Sequence, residues 1–219
     1  MRPLTRLQRI RASAEAGVTL TEVLMALVIL GIIIAPLTAA MIIYLRNTDA
    51  TVDRMSESHD AQIANAYVTY DVQNAGVSDW TTPPYTTYLP SIWLGQAVNA
   101  SPYGCGSDTT TSLVRFAWVA PAAAIDAQQV RRAAYVVKPI NATVGELHRV
   151  VCQGGAVVAD VTLVHNVDLA QPPTVACPVD AASCTAATPP GSVVMAIGIR
   201  APGSANTYTI TLSGQRRQT

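Results

Sequence analysis

From Val23 to Leu45 the chain runs without a single charge, and one acid, Glu22, stands at the head of that run. As a helix rising about 1.5 Å per residue, the run is about 35 Å long. A bilayer's hydrocarbon core is about 30 Å thick, so the segment is long enough to cross it with some tilt. A carboxylate in lipid is unfavourable by several kcal/mol unless it is paired. Glu22 is therefore either an acid with a partner or an interfacial acid reaching for the headgroups.

The formal net charge of zero hides an asymmetry. Arg2, Arg6, Arg9 and Arg11 stand against Glu15 in residues 1–17, a net of +3, and the remainder carries −3. Basic residues flank the cytoplasmic side of a span. The N-terminus is thus expected inside and the C-terminal part outside, a single pass through the inner membrane. A mildly acidic C-terminal part gives no reason to expect nucleic acid as a partner. A secretory signal peptide would be cut after its apolar core. Here the candidate cut, at Gly17, comes before it.

Gly17-Val18-Thr19-Leu20-Thr21-Glu22, preceded by a short cationic leader and followed by an unbroken apolar run, resembles the type IV prepilin family, which includes the pseudopilins of type II secretion. The family's usual residue after the Gly is Phe; here it is Val18. The resemblance implies that a prepilin peptidase cuts between Gly17 and Val18 and methylates the new amine of Val18. It implies that Glu22 then pairs with the amine of a neighbouring subunit, so the partners are other pilin subunits, the peptidase and membrane lipid, and the product is an extracellular filament. The family often carries a Gly and a Pro in this helix, as Gly31 and Pro36 do here. A bend or melted turn is expected near Ile32–Pro36. Further on, Asp71-Val72-Gln73-Asn74-Ala75-Gly76 resembles the same region of minor pilins of the PilW/GspJ-like kind. A membrane-anchored binding or adhesin domain that never polymerises is the alternative.

Helical spacing continues past Arg46. Ile63, Tyr67 and Tyr70 fall at i, i+4 and i+7 and are expected to form the apolar face, with Ala64, Ala66 and Val72 nearby. Asp49, Asp53, Glu57 and Asp60 are expected on the polar face, and Gly76 is expected as the residue just past the helix end. Residues 77–112 read as a long loop with a short strand around Ile92–Leu94. Its aromatics, Trp80, Tyr85, Tyr88, Trp93 and Tyr103, are expected to cover the domain's own core rather than to form a contact surface. From residue 113 on, alternation dominates. Strands are expected at 113–118, 130–138, 146–152, 156–164, 192–200 and 206–214. Gln153-Gly154-Gly155 marks one hairpin and Ala201-Pro202-Gly203 another. The chain therefore divides into a leader (1–17), a membrane helix (18–45), its soluble continuation (46–75) and a β-rich domain (76–219). The fold class is α+β, a long N-terminal helix packed on an antiparallel sheet.

All four cysteines, Cys105, Cys152, Cys177 and Cys184, follow the apolar run, in the compartment expected to be oxidising. An even count there favours disulfides over metal or redox chemistry. Four cysteines allow three pairings. Cys177 and Cys184 flank a short Pro-bearing loop and are expected to pair, leaving Cys105 with Cys152; free buried thiols are the alternative. His59, His148 and His165 form no recognisable catalytic spacing, and no HExxH, GxSxG, CxxC, Walker A or GxGxxG motif occurs. No enzyme activity, cofactor or metal is expected.

Overall fold

The computed structural model describes residues 17–78, 88–119, 130–178, 184, 190–200 and 207–217, apart from the side chains of residues 49, 50, 78 and 88. The arginines of the leader, Trp80, Tyr85 and the Ala201-Pro202-Gly203 turn lie outside these residues, as do the side chains of Asp49 and Tyr88. The chain divides into two compact units, with the boundary in sequence between Val52 and Asp53.

The first unit is helical. Helix α1, Leu20–Asn74, begins in it and is long and apolar enough to cross a membrane. Its large apolar side chains from Val18 to Leu45 are all 46% exposed or more. Thr38, Thr48 and Thr51 each return the hydroxyl to the carbonyl four residues back, at 2.8–2.9 Å. Polar side chains on such a helix thereby spend their donors inside it, as an apolar surround requires. Pro36 sits within the helix, and no residue from Ile32 to Pro36 leaves the helical conformation, so of the expected bend or melted turn the melted turn does not occur. Proline removes one N–H, here the donor to the Ile32 carbonyl, yet the helical conformation continues on either side of it.

The second unit holds the rest of α1 and, among the described residues, ten strands: β1 Val77–Ser78, β2 Tyr88–Leu89, β3 Ile92–Leu94, β4 Val114–Val119, β5 Val130–Pro139, β6 Val144–Gln153, β7 Ala156–Asp168, β8 Thr174–Ala176, β9 Ser192–Arg200 and β10 Thr207–Gln215. β1 pairs with β2 alone. The others form one antiparallel sheet in the order β10-β9-β7-β6-β5-β4-β3, with β8 added beside β9. Gly154 and Gly155 turn β6 into β7, and both have positive φ. Such a two-residue turn needs both centres in the left-handed region, which only glycine enters freely. The α+β class with an antiparallel sheet is what the sequence pattern predicts.

Which face of α1 meets the sheet differs from the expectation. Ala64, Val68 and Val72 are fully buried, whereas Ile63, Tyr67 and Tyr70 are 36–50% exposed. Glu57, expected on the polar face, is buried. The reason is close approach. A Cβ on Gly214 of β10 would stand 2.7 Å from Val72 Cβ and 3.1 Å from the Val68 carbonyl oxygen. Thr69 Oγ1 donates to the Ser213 carbonyl at 3.0 Å, and the Ser213 N–H donates to Asn65 Oδ1 at 2.9 Å. A strand backbone this near a helix admits small side chains at the contact and moves the large ones to its flank. Gly214→Ala is expected to lower stability by about 1–3 kcal/mol through overpacking, measurable by urea unfolding.

The helix ends at Asn74, but Gly76 does not cap it in the left-handed conformation. At φ 147° it gives its N–H to the Ala117 carbonyl of β4 at 3.0 Å. Val193, Met195, Ile197 and Ile199 of β9, all fully buried, join Phe116, Tyr135 and Leu147 in the core beneath α1. The opposite face of the sheet is not bare. Residues 95–113 fold back across it, placing Val98 and Cys105 against Ala134, Val136, Val150 and Cys152. β4 is therefore buried on both faces, Arg115 and Ala117 included. Trp93 is buried beside Tyr103 with ring centroids 5.9 Å apart, so these two aromatics cover the core.

Cys105 bonds to Cys152 and Cys177 to Cys184, with Cα separations of 5.5 and 5.6 Å. The first ties the returning loop to β6 across 47 residues of chain, the second closes a short loop. Loop-closure entropy gives about 4 kcal/mol for the long one and about 2.5 kcal/mol for the short one. Urea unfolding of the two double-serine variants should show that order, and equal losses would contradict it.

Candidate functional site: the head of the apolar helix

Gly17, Val18 and Thr19 precede the first helical turn. Thr19 caps it: the Glu22 N–H donates to Thr19 Oγ1 at 3.3 Å and to the Thr19 carbonyl at 3.0 Å, and the Val23 N–H donates to the same carbonyl at 3.2 Å. The Thr-x-x-Glu spacing is that of a capping box, and it fixes where the helix starts. The carboxylate of Glu22 is thereby held in the first turn. There the partial positive charge of the helix end favours an anion. Among the described residues no cation pairs with Glu22. Val18 is 68% exposed, so the residue whose amine cleavage would free is accessible. A Cβ on Gly17 would meet nothing within 4 Å, and its φ is not in the left-handed region. Packing among the described residues does not account for a glycine here.

The second unit carries a different set of polar groups, which tie the helix to the sheet. Asp71 on α1 is fully buried and accepts from Arg149 of β6 at both oxygens, from Nε at 2.7 Å and Nη2 at 2.5 Å. Tyr135 of β5 donates its hydroxyl to the same carboxylate at 2.6 Å. Burial pushes the Asp71 carboxyl up against the pull of Arg149, and burial, then Asp71, pushes the Tyr135 phenol well up, so Tyr135 remains a neutral donor. Tyr208 of β10 donates to Glu57 at 2.5 Å, and burial, then Glu57, raises that phenol as well. His165 of β7 meets Asp60 through its Nδ1 at 2.7 Å and its N–H at 3.1 Å. Asp168 accepts from Thr207 and Arg200, and the Thr207 hydroxyl leads in holding its carboxyl below the usual range.

Beside the Asp71 cluster lies an apolar groove of about 800 Å³ between Tyr67 and Tyr70 of the helix and Trp118, Val151 and Val158 of the sheet. The large residues displaced from the helix contact form its wall. Asp71, Glu57 and Asp60 were not singled out in the sequence as buried anchors. The available signal was their spacing: Glu57, Ala61, Ala64, Val68 and Asp71 recur at alternating steps of four and three, placing two acids on the small-residue stripe. Among the described residues, no group of histidines, cysteines and acids is arranged to hold a metal.

The family description "Prokaryotic N-terminal methylation motif" matches residues 12–38, which span the capped turn and Glu22. No curated protein and no solved structure matches the chain. With the long apolar helix and the antiparallel sheet behind it, the match supports a type IV prepilin- or pseudopilin-like protein, a single-pass, membrane-anchored pilin-like precursor.

Proposed function

We propose that this pilin-like precursor is a structural subunit, a minor pilin or pseudopilin of a type IV pilus or type II secretion filament, assembled through its apolar helix after cleavage between Gly17 and Val18. The observation that carries the reading is the capped turn. Thr19 holds Glu22 one turn from an exposed Val18, at the head of a helix whose large apolar side chains up to Leu45 are exposed among the described residues. A newly freed amine on Val18 of one subunit and a carboxylate at Glu22 of the next are complementary charges in a medium where neither is tolerated alone. Gly17 fits a protease cleft in which the backbone must approach closely. The peptidase and other pilin-like subunits are the partners, the N-terminus lies inside, the sheet unit lies outside, and the chain performs no catalysis of its own.

The mature N-terminus tests the processing half of this reading. Mass spectrometry of the membrane-extracted chain should give N-methyl-Val18 as its first residue. An intact Met1, or a chain beginning beyond Ala39, would replace the filament subunit with a plain anchored or secreted domain.

A further inference from the structure

On the face of the sheet turned away from α1, two neighbouring arginines are buried with no carboxylate partner among the described residues. Arg115 of β4 and Arg132 of β5 lie on the same side of neighbouring strands, since Arg115 pairs with Ala134 and Arg132 with Ala117. They are 3% and 8% exposed. Arg115 donates from Nη1 to the Ala100 and Val98 carbonyls at 2.6 and 3.4 Å, and from Nη2 to Gln96 Oε1 at 2.5 Å. Arg132 donates from Nη1 to the Gly104 carbonyl at 2.7 Å. Trp93 lies 5.3 Å from the Arg115 guanidinium and Tyr103 lies 5.6 Å from that of Arg132. Carbonyl dipoles and ring faces solvate a cation, but they do not neutralise it. The other buried or half-buried arginines in ion pairs are matched differently, because Arg149 on the α1 face has Asp71 and Arg200, near the β9–β10 edge, has Asp168. Among the described residues no carboxylate pairs with Arg115 or Arg132, and the Nε of each is buried without a hydrogen bond.

The unused atoms of Arg132 have a shape. With Nη1 on Gly104, the edge left over among the described residues is Nε and Nη2, whose two N–H groups run parallel and match the two oxygens of an oxyanion. We propose that Arg115 and Arg132 form an oxyanion site beneath residues 95–113, with the Nε–Nη2 edge of Arg132 as its fork and Arg115 as the second charge that raises the local potential. The ligand is a carboxylate or phosphate group. The half-buried Tyr103 ring lies over Arg132 and turns aside to admit it.

The test uses the full chain in detergent. Its melting temperature is followed while phosphate or acetate replaces chloride at constant ionic strength. A saturable rise over chloride is expected, and the anion that gives it at lower concentration identifies the class. Arg132→Gln keeps a donor for Gly104 but loses the charge and the fork, and should weaken the response at least roughly tenfold. Arg132→Lys keeps the charge without the fork and should lose the response to a similar degree, which also covers the case in which the Gln variant does not fold. Tyr103→Ala should leave binding intact or tighten it. No rise in the wild type, or an undiminished rise in the Arg132 variants, would overturn the site.

Discussion

Asp71→Ala should cost the sheet unit about 3–5 kcal/mol, the largest loss expected from any single substitution on α1. The substitution removes the carboxylate but leaves Arg149 buried among Tyr67, Tyr135 and the core, with two donors unmet. Tyr135 loses its acceptor at the same time, although its ring stays packed edge-on against Phe116. Desolvation of an unpaired guanidinium dominates the loss, so Asp71→Asn should be nearly as damaging despite its similar shape. Removing both charges tests that account. Asp71→Leu combined with Arg149→Met replaces the pair with apolar groups of similar volume and should recover most of the stability. Urea unfolding of the detergent-solubilised chain, read by Trp93 and Trp118 fluorescence, gives the comparison. A loss below about 1 kcal/mol for Asp71→Ala, or a double variant no better than the single, would mean that the pair anchors nothing.

Glu22→Ala should leave the protein in the membrane and take it out of the filament. Removing an acid from the edge of an apolar helix makes insertion easier if it changes it at all. The helix start should not move, because Thr19 supplies the cap with its own hydroxyl and carbonyl. Cleavage after Gly17 should continue, since the cut residues are untouched. Assembly is the step that suffers, because the amine of a neighbouring Val18 would face lipid unpaired, a penalty of several kcal/mol. Crosslinking to partner pilin-like subunits in membranes, with both forms at equal abundance, should therefore fall by roughly a hundredfold. Glu22→Gln, which keeps the size and loses the charge, should behave like alanine. Equal crosslinking would make Glu22 an interfacial acid and remove the central support of the proposed assembly.

What was legible in the sequence and what was not divide along physical lines. The helix and its apolar run were legible because they depend on neighbours in sequence: a charge-free run, an acid at its head and a fixed rise per residue, whereas the Thr19 cap is seen only in the structure. The strands were legible for the same reason. Alternation placed β9 with Val193, Met195, Ile197 and Ile199 inward, and two glycines placed the β6–β7 turn. Hydrophobic periodicity misjudged the buried face of α1 because it weighs side chains by size. Gly214 lies near the opposite end of the sheet unit's sequence from Val68 and Val72, whose close contact it permits, and nothing local announces that a backbone will approach there. Arg115 reads as the solvent side of an alternating strand until residues 95–113 fold over it.

The sequence alone determined that one long apolar helix with an acid at its head comes first and that an antiparallel sheet follows. Both are consequences of local composition and period. Only the tertiary structure decided which acids are buried, which arginines go without them, and which face of the helix meets the sheet. Those outcomes depend on the distance between backbones far apart in the chain, and at such contacts small side chains and paired charges displace the large apolar ones that the pattern favours.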